Sequence, residues 1–295
     1  MKVYYISKEM SNDSQESPAS SRPRFCPSAL TQIQIERLKR EAEPGEPASQ
    51  TGHQSTSNKS EPENENWGYD LYPERRGAKY KPSWLKTLVG IEGREALDKA
   101  KCEHRVYACI KNNPLIKLMI AALNSSGCPF DIRRHISCEV CDTKVSGGYD
   151  PELNQVVICQ NTVRQEGMVG SVMIHEMIHM FDWCRNEMDF RNIDHLACTE
   201  IRAANLTHCS FVSAWTMGVA SPLNIRKMHQ ECVKQKALDS VVTARNVTVE
   251  EGRAAIERVF PMCYADLEPI GRRIKRNSTD MHRAYSEGLL YGYDT

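Results

Sequence analysis

The chain has 295 residues, of which 40% are hydrophobic, and its 38 Lys and Arg residues balance its 38 Asp and Glu residues. This length suits one large domain or two small ones, and a net charge of zero provides no overall field that would attract nucleic acid. The composition excludes a chain that coats DNA, and we expect no direct contact with nucleic acid. The longest apolar runs, such as residues 115–123, are far shorter than the roughly 20 residues of a membrane-spanning helix.

Residues 1–100 are predicted to be mostly a disordered N-terminal tail. Residues 10–66 are rich in Ser, Pro, Glu, Gln and Asn and contain few branched aliphatic side chains, so they cannot bury enough apolar surface to fold. Two short helical islands are expected in the tail, over residues 29–42 and 82–89. The first residues show neither a secretory signal nor a convincing mitochondrial presequence. We therefore place the folded domain at residues 101–295.

Beyond the tail, the sequence predicts an α+β domain with many helices and few strands. One helix is expected to begin at Pro114 and to end at Gly127, because proline is favoured at the first helical position and glycine after the last. Two short strands around a turn predict a β-hairpin over residues 146–159. The last predicted helix opens with Thr248 and Glu251 in the spacing of a capping box. That helix is expected to cover residues 248–263, and further long helices are expected at residues 165–184, 195–206 and 225–245.

The sequence His175-Glu-Met-Ile-His179 lies inside the helix predicted over residues 165–184. Histidines four residues apart lie on one face of a helix, so both imidazoles can reach the same metal ion. Glu176 projects beside them, where it can act on a water molecule. Histidine ligands with one position left open for water are typical of catalytic zinc sites. The motif and the hairpin before it predict a zincin-like metalloprotease domain with one catalytic Zn²⁺ ion.

A third zinc ligand is needed in such a site. The position at which metzincins carry a third histidine is Arg185, which cannot bind zinc. In gluzincins the third ligand is a glutamate on the following helix. The residue at a corresponding place in this chain is Glu200, which we favour. Asp182, Asp194 and His195 are further candidates, and Asp182 has a second possible role, which is to orient a ligating imidazole through its free N–H group.

The chemistry expected of this site is peptide-bond hydrolysis by a zinc metalloendopeptidase. Zinc lowers the pKa of its water to about 7 and polarises the scissile carbonyl group. Glu176 takes the proton of the water as general base and passes it to the leaving amine. A further donor is expected to stabilise the oxyanion, with His195 and Arg202 as candidates.

Twelve cysteines are many for a chain of this length, and eleven of them follow residue 100. Cys138 and Cys141 could form a Cys₄ zinc site with Cys128 and Cys159, because C-x-x-C is a common half of such a site. The remaining cysteines are too irregularly spaced for further zinc sites, which favours disulfides throughout. Disulfides imply an oxidising compartment, and without a visible secretory signal the mitochondrial intermembrane space is one of few candidates.

Several segments of the chain resemble one protein family, and they occur in the same order. These segments are residues 113–117, 138–141, 145–150, 157–161, 175–182, 195–206, 245–247 and 268–272. The family is the mitochondrial inner-membrane metalloprotease that matures subunit 6 of ATP synthase and assists assembly of the membrane sector of that enzyme. The resemblance covers residues 102–273, and we recognise no counterpart of the N-terminal hundred residues in the family.

This resemblance implies that zinc is bound by His175 and His179 and that Glu176 is catalytic. It implies import into the intermembrane space with oxidative folding, and ten of the cysteines lie where the family has them, with Cys26 and Cys109 as additions. It further implies peripheral attachment to the inner membrane, the subunit 6 precursor as substrate and the subunit 9 ring of ATP synthase as a partner. The alternative function is an assembly chaperone for ATP synthase membrane subunits that cuts nothing.

Overall fold

The computed structural model describes residues 3–5, 71–76, 83–84, 93–209, 225–245, 247–275 and 278–295, which all belong to one compact unit. The two helical islands predicted in the tail lie outside these residues, apart from Ser83 and Trp84. No helix in the described ranges combines the length and the apolar character needed to cross a membrane.

The described part of the chain is mostly helical, with a small sheet immediately before the motif helix, so the predicted α+β class is confirmed. In chain order the elements are β1 (Val3–Tyr5), a 3₁₀ helix (Pro73–Arg76), α1 (Glu95–Asn112), α2 (Pro114–Ser125), α3 (Ile132–His135), β2 (Ile136–Glu139), β3 (Gly147–Asp150), β4 (Gln155–Cys159), α4 (Glu166–Arg185), α5 (Ile193–Ala203), a π-helical turn (Ala204–His208), α6 (Ile225–Ala244), α7 (Val249–Ala265), α8 (Asp280–Glu287) and a 3₁₀ helix (Gly288–Tyr291).

The helices predicted beyond the tail and the hairpin are present within a few residues of their expected bounds. Helix α1 was not predicted from the sequence. Among its 18 residues only Cys102, Val106 and Cys109 are buried, so its sequence has a weak apolar pattern. Strand β2 has only four residues, which is too short to show a reliable alternation of apolar and polar side chains.

Capping residues define where two of the helices begin. The Asn113 side chain accepts a hydrogen bond from the backbone N–H of Leu115 at 2.9 Å, and Pro114 follows at the first position of α2. Thr248 and Glu251 form the predicted capping box at the start of α7.

The four described strands form one sheet in the order β1-β3-β4-β2. Strands β3 and β4 pair in antiparallel fashion as the predicted hairpin, whereas β2 is parallel to β4 and β1 is parallel to β3. Gly147 allows β3 to approach α4 closely, since a Cβ atom there would lie 2.4 Å from Val172 Cγ1 and 2.7 Å from the Val157 carbonyl oxygen. The sheet therefore packs directly over the motif helix.

Helix α4 is the centre of the fold. Nearly every residue from Val169 to Asp182 is buried, as expected for a helix surrounded by other elements. It packs against α1, α2, α5, β3 and β4. The histidine motif is therefore held in the hydrophobic core.

A short segment from the N-terminal hundred residues packs on the sheet. Tyr72 is fully buried, and its hydroxyl donates to the Gly147 carbonyl oxygen at 2.8 Å. The Arg75 guanidinium pairs with Glu139 at 2.8 Å and with Asp150 at 2.5 Å, and all three side chains are largely buried. Tyr72 and Arg75 precede the domain boundary that the sequence predicts at residue 100, and that boundary stays a prediction.

The described cysteines form five disulfides, so the expectation of disulfides is confirmed and the Cys₄ zinc site is wrong. Burial raises the pKa of the remaining described thiol, Cys109, to about 11. Cys26 lies outside the described residues. The pairs are Cys102–Cys138, Cys128–Cys184, Cys141–Cys159, Cys198–Cys263 and Cys209–Cys232.

Candidate metal centre

The structure brings together His175 and His179 of α4 and Glu200 of α5, all of them buried. Glu200 Oε2 lies 3.6 Å from His175 Nε2, and Glu200 Oε1 lies 3.8 Å from His179 Nε2. These distances are too long for hydrogen bonds. They are close to the roughly 3.3–3.5 Å that separates ligand atoms around a tetrahedral zinc ion with bonds of about 2.0–2.1 Å. The three side chains therefore fit a metal ion between them.

Unsatisfied polar atoms at this centre also fit a cation. Among the described residues, His175 Nε2 has no hydrogen-bond partner, and neither does either carboxylate oxygen of Glu176. Buried polar atoms without partners are costly and call for an explanation. A cation bound beside them would give the imidazole nitrogen its missing partner and would offset the buried negative charge.

The orientation of the His179 ring is set by a chain of hydrogen bonds. Its Nδ1 atom lies 2.8 Å from the Thr199 hydroxyl, which itself donates to Asp182 Oδ2 at 2.6 Å. Because the hydroxyl proton points to Asp182, the oxygen accepts the Nδ1 proton of His179. The Nε2 lone pair then faces Glu200. Asp182, predicted either as a ligand or as an orienting group, thus reaches His179 through Thr199.

The Arg202 guanidinium lies behind this chain. Its Nε atom donates to Asp182 at 3.0 Å, one terminal nitrogen donates to the Glu268 carbonyl oxygen at 2.6 Å, and the other pairs with Asp266. Burial opposes the charge on Arg202, but the two carboxylates outweigh it and raise the pKa of the guanidinium. This placement does not support the oxyanion role predicted for Arg202.

Asp194 and His195 lie in the first turn of α5, and neither belongs to the group of His175, His179 and Glu200. Asp194 forms an exposed ion pair with Arg258 at 2.6 Å. His195 Nδ1 accepts a hydrogen bond from the backbone N–H of Asp189 at 3.1 Å. Of the four candidates for the third ligand, the structure places only Glu200 beside both motif histidines.

Burial controls the charges of the motif residues. It lowers the pKa of His175 to about 3, and it lowers the pKa of His179 well below its ordinary value. Both imidazoles are therefore neutral, the form that binds metals. Burial, together with the nearby Glu200 carboxylate, raises the pKa of Glu176. A divalent cation at this position would oppose that rise.

The structure also places at the centre a residue that sequence reasoning missed. His208, at the end of the π-helical turn, has its Nε2 atom 2.8 Å from His175 Nδ1. Regular α-helical spacing along the sequence does not predict this position for His208. Thr199 was missed as well, because a single threonine beside Glu200 carries no recognisable signal.

Comparison with known proteins identifies the family of the chain. The profile of the family described as "Peptidase M76 family" matches residues 100–271, which is more than half of the chain and includes every residue of the centre. The chain belongs to the peptidase M76 family. Membership assigns it to the peptidases and confirms the family resemblance of its sequence segments.

Relatives of this M76 peptidase carry consistent names. It is 40% identical over 244 residues to "Mitochondrial inner membrane protease ATP23 homolog" of Danio rerio, covering 81% of this chain and 92% of the relative. It is 40% identical over 189 residues to the Homo sapiens protein of the same name, covering 63% and 75%. The Saccharomyces cerevisiae protein "Mitochondrial inner membrane protease ATP23" is 33% identical over 177 residues, covering 57% and 77%. No solved structure matches the chain.

Proposed function

We propose that this M76 peptidase is a zinc-dependent endopeptidase of the mitochondrial intermembrane space, peripherally attached to the inner membrane. Its substrate is the precursor of subunit 6 of the ATP synthase membrane sector, from which it removes N-terminal residues. It also assists assembly of the membrane sector, with the subunit 9 ring as a partner.

The observation that carries the proposal is the buried group of two imidazoles and one carboxylate around a single point. His175, His179 and Glu200 supply two nitrogens and one oxygen, a ligand set found in catalytic zinc sites of peptidases. Soft thiolate ligands are absent from this group, and the described cysteines near the sheet are joined in disulfides.

The chemistry at this site divides between the ion and Glu176. When bound, zinc lowers the pKa of a water molecule and polarises the carbonyl group of the substrate. Glu176 accepts the proton of the attacking water and donates it to the leaving amine. Its carboxylate has the freedom to do so, because no described residue holds either oxygen in a hydrogen bond.

The cellular setting is supported by two independent observations. Five disulfides favour an oxidising compartment, and the intermembrane space fits that requirement. The relatives in Danio rerio, Homo sapiens and Saccharomyces cerevisiae are named as mitochondrial inner membrane proteases. Subunit 6 as substrate and the subunit 9 ring as partner are supported by the family resemblance of the sequence alone.

Replacing Glu176 by glutamine tests the proposal. The carboxamide has nearly the same shape but cannot act as a base, so zinc binding and folding are retained while proteolysis stops. The variant is expressed in yeast cells that lack their own inner-membrane relative, and the N-terminus of subunit 6 is read by mass spectrometry. We expect the wild-type chain to restore maturation and Glu176→Gln to leave only the precursor.

Glu187→Gln is the matched control, because it makes the same chemical change at an exposed glutamate just after α4. It should mature subunit 6 as the wild type does. Maturation by Glu176→Gln would show that the protease assignment is wrong and would favour the chaperone function. Assembly of ATP synthase without maturation would show that the two activities are separable.

A further inference from the structure

We propose that His208 is a positioning residue for the metal centre: it accepts the Nδ1 proton of His175 and holds the Nε2 atom of that ring toward Glu200. The proposal rests on the proposed function, because it concerns a ligand of the proposed zinc ion.

The contact between the two rings has the geometry of a hydrogen bond. His208 Nε2 and His175 Nδ1 are 2.8 Å apart, and the ring centroids are 4.7 Å apart. The Thr207 hydroxyl lies 3.4 Å from the same nitrogen and donates its proton to the Ala203 carbonyl oxygen at 2.6 Å. His208 is therefore the closer and better placed acceptor for His175.

This contact decides which nitrogen of His175 carries the proton. A neutral imidazole has one N–H donor and one acceptor nitrogen. His175 can offer a lone pair at Nε2 only when its proton is on Nδ1, and partners that fix this tautomer strengthen metal binding. His208 plays for His175 the part that Thr199 plays for His179. Each of the two imidazoles thus has its own partner.

The π-helical turn brings His208 to this position. Eight residues of an α-helix rotate by roughly 800°, which would leave His208 about 80° away from the face that carries Glu200. In the structure, the backbone N–H of Cys209 instead donates to the carbonyl oxygen of Ala204, five residues earlier, at 3.1 Å. This wider turn rotates less per residue, so it moves His208 back toward the face of Glu200. Such turns occur frequently at functional sites.

The next residue anchors the turn to α6. Cys209 is joined to Cys232 by a disulfide, and its carbonyl oxygen lies 2.5 Å from His229 Nε2. Both partners lie on α6, so two contacts with one helix hold the backbone beside His208 in place. A rigid support of this kind suits a residue that must hold a metal ligand in place.

Zinc affinity of the full-length, oxidised chain tests the proposal. The dissociation constant for zinc is measured by competition with a chelator for the wild type, His208→Leu and His208→Gln. Leucine removes the acceptor at similar size, and we expect affinity to fall about 10- to 100-fold. Glutamine places an amide oxygen near the position of Nε2, so affinity should return to within a few-fold of the wild type.

His104→Leu is the matched control, since His104 is an exposed histidine on α1, and its zinc affinity should equal that of the wild type. An affinity of His208→Leu equal to that of the wild type, or of His208→Gln as low as that of His208→Leu, would overturn the proposal. Zinc binding by the wild type with unchanged affinity in His208→Leu would leave the proposed function intact. A folded wild type that binds no zinc would overturn both.

A second measurement needs no variant. Nitrogen NMR of the zinc-loaded wild type with ¹⁵N-labelled histidines reports which ring nitrogens carry protons. We expect a proton on Nδ1 of His175 and none on Nε2 of His208. A proton on Nε2 of His208 would contradict the proposal, whether or not the leucine variant folds.

Discussion

Thr199 joins a proposed zinc ligand to a buried ion pair. Its hydroxyl lies 2.8 Å from His179 Nδ1 and donates to Asp182, which Arg202 holds from the other side at 2.8 Å. Side chains that orient ligating imidazoles in this way affect metal affinity although they do not touch the metal. The affinity for zinc is therefore expected to depend on this hydroxyl.

Thr199→Val removes the hydroxyl and keeps the shape of the side chain. Without an acceptor, the Nδ1 proton of His179 is left buried, and we expect zinc affinity to fall about tenfold or more. Thr199→Ser keeps the hydroxyl and should stay within a few-fold of the wild type in the same chelator competition. Equal affinities of the valine variant and the wild type would show that Asp182 and Thr199 do not orient His179.

At the scale of single residues, spacing could predict only part of the centre. His175 and His179 follow from their separation on one helix, and Glu200 follows from its place on the next helix. Thr199 and His208 could not be predicted, because their roles depend on the packing of α5 against α4 and on the π-helical turn. The ion pairs of Arg202 could not be predicted either, since its partners Asp182 and Asp266 are distant in sequence.

At the scale of elements, the segment that carries Tyr72 and Arg75 extends the folded unit beyond the matched family region. Arg75 bonds to Glu139 on β2, to Asp150 on β3 and to a residue of β4. It therefore ties three strands of the sheet together from outside the predicted domain of residues 101–295. No periodic pattern in the tail could predict this contact, because it rests on one arginine.

Arg75→Ala tests whether this segment belongs to the domain. It leaves the carboxylates of Glu139 and Asp150 buried without their cation, so we expect the free energy of unfolding to fall by about 3–5 kcal/mol. Urea unfolding of the oxidised protein measures the change. Arg258→Ala is the control, because its ion pair with Asp194 is exposed and is worth at most about 1 kcal/mol. Equal effects of the two substitutions would support the boundary at residue 100.

Elements with strong patterns could be predicted, and weakly patterned ones could not. Helices α2, α4 and α7 have caps or dense apolar sequences that show in the chain itself. Helix α1 and strand β2 obtain their place from the disulfide between Cys102 and Cys138 and from packing against the rest of the core. The local sequence of these two elements does not predict such long-range contacts.

At the scale of the whole molecule, the disulfides and the candidate metal centre use separate residues. The number and spacing of the cysteines predicted disulfides, but the pairing required the fold, since many connectivities satisfy the same sequence. Cys198–Cys263 joins α5 to α7, and Cys128–Cys184 ties the end of α4 to the chain after α2. These bonds hold the two helices that carry His175, His179 and Glu200 without supplying a ligand.

The most direct test of the account is the number of zinc ions per chain. Native mass spectrometry of the full-length protein, purified without reducing agent, is compared for the wild type and His179→Ala. We predict one zinc ion in the wild type, none in the variant, and five disulfides in both. A folded and active wild type without zinc, or zinc retained after the loss of His179, would contradict a zinc peptidase built on His175, His179 and Glu200.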